Sequence, residues 1–383
     1  MKNFIGVNII GHISGNLGLG VAARNIIGCL ISRGIQVRIL NIDPGLKRND
    51  FDTSYNTLFC SNIEELIFPI NMFILSPSFF NREFIKIFSE KINTGYAYWE
   101  LPNLTENIKE NFKNMDAIIA PSTFIYETYG REIDNILLIK GKTPYFFDFD
   151  KVNKNKKGSD TFKIFSAFEP NSDIERKNPY LIIRCFKLAF INTPNVELTI
   201  KINNAFINGT TEIHPEVQDL ISHCEDDARI KIDTRTFNQM ELMEYFQNFN
   251  IAISLHRAEG FGLMPLEMMA IGIPVISTNW SGNTDYMNSD NSLLVRHCMI
   301  EANGNIGIYK SINYKNGTQW ADPNLEDAVY FLKYAFSNDL EKISTKAKKS
   351  ALSYIEEANQ VKFIDELITI QDTGIITKTR SKS

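Results

Sequence analysis

The stretch LHRAEGFGLMPLEMMAIGIPVISTNWSGNTD, residues 255–285, carries the clearest fold signal in this chain. The apolar run at residues 251–255 is rich in β-branched side chains and predicts a buried parallel strand. Apolar residues at helical spacing then predict a helix that starts near Leu263 and stops at Gly272, and residues 274–278 predict the next strand. This order predicts a parallel α/β sheet with a loop at the carboxyl end of a strand, where such sheets bind ligands.

The chemistry of this loop favours a nucleotide-diphosphate sugar. Gly260 and Gly262 let the backbone approach a ligand closely, and the N-terminus of the following helix suits a phosphate. Glu259 and Glu267 flank the loop, and a carboxylate can accept two hydrogen bonds from the vicinal hydroxyls of a ribose or a hexose. The plainer alternative is a capping glutamate beside an ordinary helix.

The motif EGFGLMPLE, followed by AIGIPVIST and SGNTD, resembles the signature of retaining GT-B glycosyltransferases of family 4. The resemblance implies that Glu259 lies near the donor sugar and that Glu267 binds the ribose. It also implies that the backbone of Gly260, Phe261, Gly262 and Leu263 cradles the diphosphate. The variant LHRAEGFGL with NWSGNTDYM resembles a bacterial, mannosyltransferase-like subgroup used in surface-polysaccharide assembly.

Composition is that of a globular protein, with 383 residues, 44% hydrophobic and 22% charged residues, and a net charge of −5 that implies no nucleic-acid partner. The five cysteines have no metal-ligand spacing and, with no signal-peptide pattern and no long apolar run, predict a cytoplasmic protein. The basic tail at residues 378–383 leaves two interpretations, a peripheral contact with anionic lipid at the inner face of the membrane or a solvated terminus.

The N-terminal half begins as a second strand–loop–helix–strand unit, with strands predicted at 4–10 and 35–42 and a glycine-containing loop at 11–20. A dinucleotide-binding domain with Asp43 as the ribose-binding acid is one alternative, but the spacing G-x-x-G-x-G departs from G-x-G-x-x-G. The segment GNLGLGVAARN resembles the first loop of the bacterial subgroup, which implies that Gly18 and Gly20 lie near the donor diphosphate. His12 is a further candidate for lining the same cleft.

The segment YAYWELPNL, residues 96–104, places aromatic rings and a carboxylate at a predicted strand end. Aromatic faces beside one acid suit a sugar, so Trp99 and Glu100 are the acceptor-binding candidates. A buried tryptophan and a helix-capping glutamate are the alternative. WELP also resembles a hallmark of the subgroup.

A polar segment at 148–160 predicts an interdomain linker, and 162–168 opens a second sheet. Asn178 is predicted to cap a helix with Pro179 in its first position, which places Arg176 and Lys177 at a helix N-terminus. The dipole disfavours cations there, so an anionic ligand is expected to relieve the conflict. The resemblance implies that Lys177, with Arg176 in place of the family's arginine, neutralises the donor diphosphate, and that Arg235 lies near the base.

The predicted fold class is α/β with GT-B architecture, two Rossmann-like domains facing across a cleft. Residues 1–147, with a C-terminal helix at about 358–383 crossing back, are expected to form the acceptor domain, and residues 160–355 the donor domain. Glu259, Lys177 and Arg176 are the predicted catalytic residues.

The predicted activity is retaining, metal-independent transfer of a hexose from a UDP- or GDP-linked sugar to a glycan or lipid-linked acceptor. No metal and no cofactor are expected, because the nearest D-x-D, Asp148-Phe149-Asp150, opens the linker. Two alternatives remain, a sugar-nucleotide epimerase and a non-catalytic nucleotide-sugar-binding subunit.

Overall fold

The computed structural model describes residues 6–42, 52–152, 160–207, 210–315 and 317–373. The chain divides into two compact units, one formed by residues 1–147 with 355–383 and the other by residues 148–354. Asp43, the tail at 378–383 and most of the predicted linker lie outside the described residues. In the part of the chain that is described, no helix is long and apolar enough to cross a membrane.

The first unit is built on a six-stranded sheet in the order β2-β1-β3-β4-β5-β6, in which every neighbouring pair is parallel. Its elements are β1 Gly6–Gly11, α1 Gly18–Ser32, β2 Gln36–Asn41, β3 Ile70–Ile74, α2 Arg82–Ile85, β4 Ile92–Tyr96, α3 Glu106–Phe112, β5 Ala117–Ala120, α4 Thr123–Glu132 and β6 Leu137–Lys140. The central strands are buried on both faces, so their side chains form near-continuous apolar runs.

The second unit repeats this plan with a six-stranded sheet in the order β12-β11-β10-β7-β8-β9, again parallel throughout. Its elements are α5 Ile174–Lys177, α6 Pro179–Ala189, α7 Pro215–Ser222, α8 Gln239–Phe246, α9 Leu263–Ala270, α10 Leu325–Ser337 and α11 Glu341–Ala358, with strands β7 Phe162–Phe168, β8 Val196–Ile202, β9 Ile230–Asp233, β10 Ile251–Ser254, β11 Val275–Thr278, β12 Leu293–Val295, β13 His297–Glu301 and β14 Gln319–Pro323. Strands β13 and β14 form a separate antiparallel ribbon. The division between units falls within α11, and α12 Phe363–Thr373 groups with the first unit.

These two parallel sheets with their helices confirm the predicted α/β class. Three local predictions differ from the structure. The sequence of residues 79–91 predicts one helix, whereas the structure has only the four-residue α2 with a single turn of 3₁₀ helix on either side. The sequence predicts a strand at residues 95–99, whereas β4 begins at Ile92 and ends at Tyr96. The loop expected at 11–20 ends earlier, because α1 begins at Gly18.

Candidate active site

The glycine-containing loop between β10 and α9 is held against the segment that follows β11. The backbone N–H of Gly282 donates to the carbonyl of Glu259 at 2.9 Å, and the hydroxyl of Ser281 accepts from the Glu259 N–H at 2.9 Å. A Cβ on Gly282 would overlap the Gly260 carbonyl, so only glycine allows this approach. Sequence reasoning did not assign a role to Gly282, although the motif SGNTD contains it.

The same loop presents the N-terminus of α9. Gly262 precedes the helix with a φ of 90°, the left-handed region that favours glycine. The hydroxyl of the buried Tyr286 donates to the carbonyls of Phe261 and Gly262, and these bonds fix the loop's last peptides. Among the described residues, no side chain caps this helix and its first turn contains no acid, so its N-terminal N–H groups are not bonded by a cap.

Glu259 lies against two cations of α5. Its carboxylate forms an ion pair with the Lys177 ammonium, and its second oxygen is 3.6 Å from the Arg176 guanidinium. The Arg176 side chain is 3% exposed, whereas those of Lys177 and Glu259 are 21% and 16% exposed. The structure therefore brings together the three predicted catalytic residues, although Glu259 lies 82 positions after Lys177 in the sequence.

Arg176 and Lys177 lie directly before Asn178, the N-cap residue of α6, as predicted, but the sequence did not show that they also form the end of the short helix α5. Both residues lie in the last turn of α5, where the helix dipole favours a cation. Asp173 caps the start of α5 by accepting from the Arg176 N–H at 3.1 Å. Asn178 does precede α6, but its side chain makes no cap hydrogen bond and donates instead to the Leu255 carbonyl at 3.1 Å. Its left-handed backbone, which asparagine tolerates, ends α5 and starts α6.

The ionisation of this cluster follows from burial and charge. Burial opposes ionisation of Glu259, but the charges of Lys177 and Arg176 outweigh it and lower its pKa from 4.5 to about 2. His256 is buried, and this burial lowers its pKa to about 4. Its ring lies 3.0 Å from the Ser254 hydroxyl and donates through Nε2 to the Trp280 carbonyl at 3.2 Å. At neutral pH the cluster thus holds an ionised carboxylate, two cations and a neutral imidazole.

Glu267 lies in the second turn of α9 and is 7% exposed. Phe261 is buried and Leu263 is half-buried at the start of the same helix. The roles implied for these residues, ribose binding for Glu267 and diphosphate binding for the others, stay predictions.

Arg235 lies beyond the carboxyl end of β9, where its guanidinium pairs with Asp233 at 2.6 Å. Its bonds to Asp233 and those of Tyr245 overcome the burial of this carboxyl and lower its pKa to about 2. The Arg235 guanidinium also lies 5.1 Å from the ring centres of Phe237 and Tyr245, which stack 4.7 Å apart. This aromatic pair could not be predicted from the sequence, because Phe237 and Tyr245 come together only in the folded chain. The base-binding role of Arg235 stays a prediction.

In the first unit, the candidate glycines occupy the first turn of α1 rather than a loop. A Cβ on Gly20 would overlap the carbonyl of Gly15, whereas Gly18 is exposed with open space around it. Arg24, which sequence reasoning passed over, fixes this segment by donating to the carbonyls of Ile13 at 2.6 Å and Gly15 at 3.1 Å.

The remaining candidates of the first unit are engaged in its own structure. His12 is 6% exposed and donates through Nδ1 to the Ile42 carbonyl at 2.8 Å. Trp99 is 3% exposed and its indole N–H donates to the Asn103 carbonyl at 2.9 Å, so the ring contributes mainly to the core. Glu100 is half-buried. Their acceptor-binding roles stay predictions, of which the geometry favours Glu100 over Trp99.

Comparison with known proteins gives the class of protein. Residues 150–303 match the family model described as glycosyl transferases group 1, and no curated protein matches the chain. The fold is similar to that of the lipopolysaccharide outer core galactosyltransferase WaaB in its apo form, at 13% identity and a TM-score of 0.62, over 95% of this chain and 99% of that one.

Two further structures are similar at comparable levels. HepE from Anabaena, in complex with UDP and glucose, matches at 11% identity and a TM-score of 0.58, over 95% of this chain and 99% of that one. TarM from S. aureus, as a mutant in complex with fondaparinux, alpha-GlcNAc-glycerol and UDP, matches at 14% identity and a TM-score of 0.54. The match covers 77% of this chain and 54% of TarM. The fold is GT-B, and residues 150–303 carry the group 1 domain, which supports a glycosyltransferase.

Proposed function

We propose that this enzyme is a retaining, metal-independent glycosyltransferase of family 4, of the bacterial surface-polysaccharide subgroup, that moves a hexose from a nucleotide-diphosphate sugar to a glycan or lipid-linked hydroxyl. The observation that carries the proposal is the Lys177–Glu259 ion pair beside the loop before α9. A cation, a hydroxyl-binding carboxylate and a helix N-terminus with no capping side chain among the described residues match the three parts of such a donor.

The diphosphate is expected to bind at the N-terminus of α9 and at Lys177. Lys177 is the more accessible of the two cations, and its ammonium can donate to phosphate oxygens. Arg176 is buried and adds positive potential from behind. Both stabilise the negative charge that develops on the leaving diphosphate, which is electrostatic catalysis of bond cleavage.

Glu259 is expected to accept hydrogen bonds from the sugar hydroxyls. With a pKa of about 2 it is ionised at neutral pH and is a weak proton acceptor, so it is poorly suited to act as general base. In the proposed reaction the acceptor oxygen bonds to the anomeric carbon on the face that the diphosphate leaves. The anomeric carbon–oxygen bond to the diphosphate breaks, and the departing diphosphate oxygen takes the hydroxyl proton.

The nucleotide is proposed to be UDP, with GDP as the other candidate, because HepE and TarM were both crystallised with UDP. Glu267 is proposed to bind its ribose and the segment around Arg235 its base. A cytoplasmic location with peripheral contact at the membrane completes the proposal, since a lipid-linked acceptor would lie at that surface.

The test is a panel of UDP-, GDP-, ADP- and dTDP-sugars, screened first by thermal shift, because a ligand bound by the folded state raises its melting temperature. Transfer is then measured for wild type, Lys177→Ala and Glu267→Ala. Loss of Lys177 is expected to lower kcat by about 10²- to 10³-fold, as for removal of one oxyanion-stabilising donor. Lys187→Ala is the matched control, because this lysine of α6 pairs with an exposed aspartate.

Transfer by Lys177→Ala at the wild-type rate would refute the assignment of the site. Conversion of the donor to an epimer without any acceptor would show an epimerase. Tight donor binding with no turnover across acceptors would show a binding subunit.

A further inference from the structure

The β13–β14 ribbon carries a connecting loop, described at residues 302–315 and 317–318, that sequence reasoning left without a role. We call it the hairpin loop. Its Ile306 N–H donates to Asp173 Oδ2 at 2.8 Å, and a Cβ on Gly304 would overlap the same carboxylate. Because the other oxygen of Asp173 accepts from the Arg176 N–H, one buried carboxylate joins the hairpin loop to α5.

The hairpin loop also covers the Arg176 side chain. The guanidinium carbon lies 5.4 Å from the centre of the Tyr309 ring, and both residues are buried. The guanidinium donates through Nε to the Ser172 carbonyl and through Nη1 to the Ala258 carbonyl, each at 2.9 Å. The aromatic face therefore lies against a cation whose edge is bonded to the backbone on either side.

Strand β14 of the ribbon also bonds to the β10–α9 loop next to Arg176. The Ala321 N–H of β14 donates to the carbonyl of Arg257 at 2.9 Å, and the N–H of Arg257 donates to the Arg176 carbonyl at 2.8 Å. The Arg257 guanidinium, which pairs with Glu175 at 2.8 Å, lies 5.6 Å from the Trp320 ring centre. The ribbon thus contacts the side chain of Arg176 through Tyr309 and is joined to its backbone through Arg257.

We infer that Tyr309 is a positioning residue for the reaction. Its ring holds the Arg176 guanidinium beside Glu259, and the guanidinium in turn positions the Glu259 carboxylate that is proposed to bind the donor sugar. The inference rests on the proposed function for its catalytic consequence, but the positioning itself can be measured without a substrate. Without the Tyr309 ring, the Arg176 guanidinium loses its packing on one face and can move away from Glu259. Glu259 then keeps Lys177 as its one cationic partner from α5.

The first experiment titrates Glu259 by NMR with glutamate labelled at the side-chain carboxyl carbon, and Glu259→Gln identifies its signal. The charged and titratable groups that face Glu259 are Lys177, Arg176, His256 and Tyr286. In Tyr309→Leu the pKa of Glu259 is expected to rise by roughly one, the lower end of what one nearby opposite charge contributes. Tyr309→Phe keeps the ring and is expected to titrate like wild type.

The second experiment separates chemistry from binding. Tyr309→Leu is expected to lower kcat about tenfold, since misplacement of a positioning group acts on the transition state, and to change the Kd of UDP by less than about twofold. Tyr309→Phe restores kcat. Ile312→Ala is the matched control, because this side chain of the same loop is 86% exposed.

The inference is overturned if Tyr309→Leu folds and the pKa of Glu259 is the same as in wild type. It is also overturned if Tyr309→Phe and Tyr309→Leu lose kcat equally. If Tyr309→Leu does not fold, Tyr309→Met, which fills the space with a flexible side chain, is judged by the same two outcomes. If wild type transfers no sugar from any donor, the proposed function fails, and the NMR titration still decides the role of Tyr309.

Discussion

Replacing Glu259 by glutamine removes a half-buried charge and leaves the shape of the side chain nearly unchanged. In the wild-type enzyme this carboxylate compensates Lys177 and Arg176, and the backbone of the same residue is bonded to Ser281 and Gly282. The substitution therefore tests the charge interaction while the loop's backbone bonds remain.

The pKa of Glu259 gives the expected size of the effect. A fall from 4.5 to about 2 corresponds to about 3 kcal/mol of stabilisation at neutral pH, at about 1.4 kcal/mol for each pKa unit. Because the pKa is lower in the folded state, this stabilisation is complete above the unfolded value and is lost as the pH falls towards the folded value. By the same linkage about 2 kcal/mol of it is gone at about pH 3.

Urea unfolding at about pH 7 and about pH 3 measures both quantities. Tryptophan fluorescence in a Trp99→Phe background reports the second unit alone, because the other two tryptophans, Trp280 and Trp320, lie there. We expect Glu259→Gln to lower the free energy of unfolding by about 3 kcal/mol at neutral pH and by only about 1 kcal/mol at acid pH. Asp290→Asn is the control, since its pair with Lys346 is exposed and should contribute about 1 kcal/mol or less.

The reasoning is refuted if Glu259→Gln lowers the free energy of unfolding equally at both pH values, or if it lowers it no more than Asp290→Asn does at neutral pH. Either result would mean that the ion pair does not hold the pKa of Glu259 low. A double-mutant cycle with Lys177→Met then shows whether the two side chains interact at all.

Three further predictions follow from the same geometry. Gly282→Ala should lower the Tm by several degrees and abolish transfer, because its Cβ would overlap the Gly260 carbonyl; Gly307→Ala, which has open space around it, should do neither. His256 should remain neutral from about pH 5 to pH 8, since burial lowers its pKa to about 4. An inflection of kcat/KM in that range that disappears in His256→Gln would contradict this. Transfer should be unchanged by EDTA, because in the proposed reaction Lys177, Arg176 and the N-terminus of α9 stabilise the charge of the diphosphate; a loss of rate restored by Mg²⁺ or Mn²⁺ would show that a metal is required.

The sheet of the second unit was the most predictable part of the fold. The sequence predicts strands at residues 162–168, 196–202 and 230–233, and β7, β8 and β9 begin and end at these residues. Buried parallel strands are short apolar runs bounded by polar residues, which makes their ends clear. The sequence also predicts a helix over residues 123–131 with Ser122 as its N-cap; α4 begins at Thr123, and the Ser122 hydroxyl accepts from the Ile125 N–H at 3.3 Å. In both cases the local signal and the tertiary environment agree.

The arrangement around α5 could not be predicted from the sequence. A helix of four residues is too short to show any periodicity, and its ends depend on positive φ angles at Asp173 and Asn178. Those angles are stabilised by contacts with distant parts of the chain, including the bond from Asn178 to Leu255. The sequence motifs predict separate roles for Lys177 and Glu259, and only the fold shows that the two side chains form an ion pair.

That ion pair sets a condition on ligand binding. A diphosphate that accepts from the Lys177 ammonium competes with Glu259 for it, and Glu259 then needs another donor to remain compensated. A sugar hydroxyl on the donor can supply that hydrogen bond, whereas free UDP brings negative charge and no hydroxyl at that position.

Glu259→Gln should therefore bind free UDP more tightly than wild type, and should bind the nucleotide sugar with less preference over UDP. Calorimetric titration of wild type and variant with UDP, and then with the best donor of the panel, measures both affinities. We expect UDP affinity to rise by about tenfold, the effect of removing one like-charge contact of about 1.4 kcal/mol. A fall in UDP affinity in Glu259→Gln would contradict the competition, because it would mean that the carboxylate assists diphosphate binding by orienting Lys177 rather than opposing it.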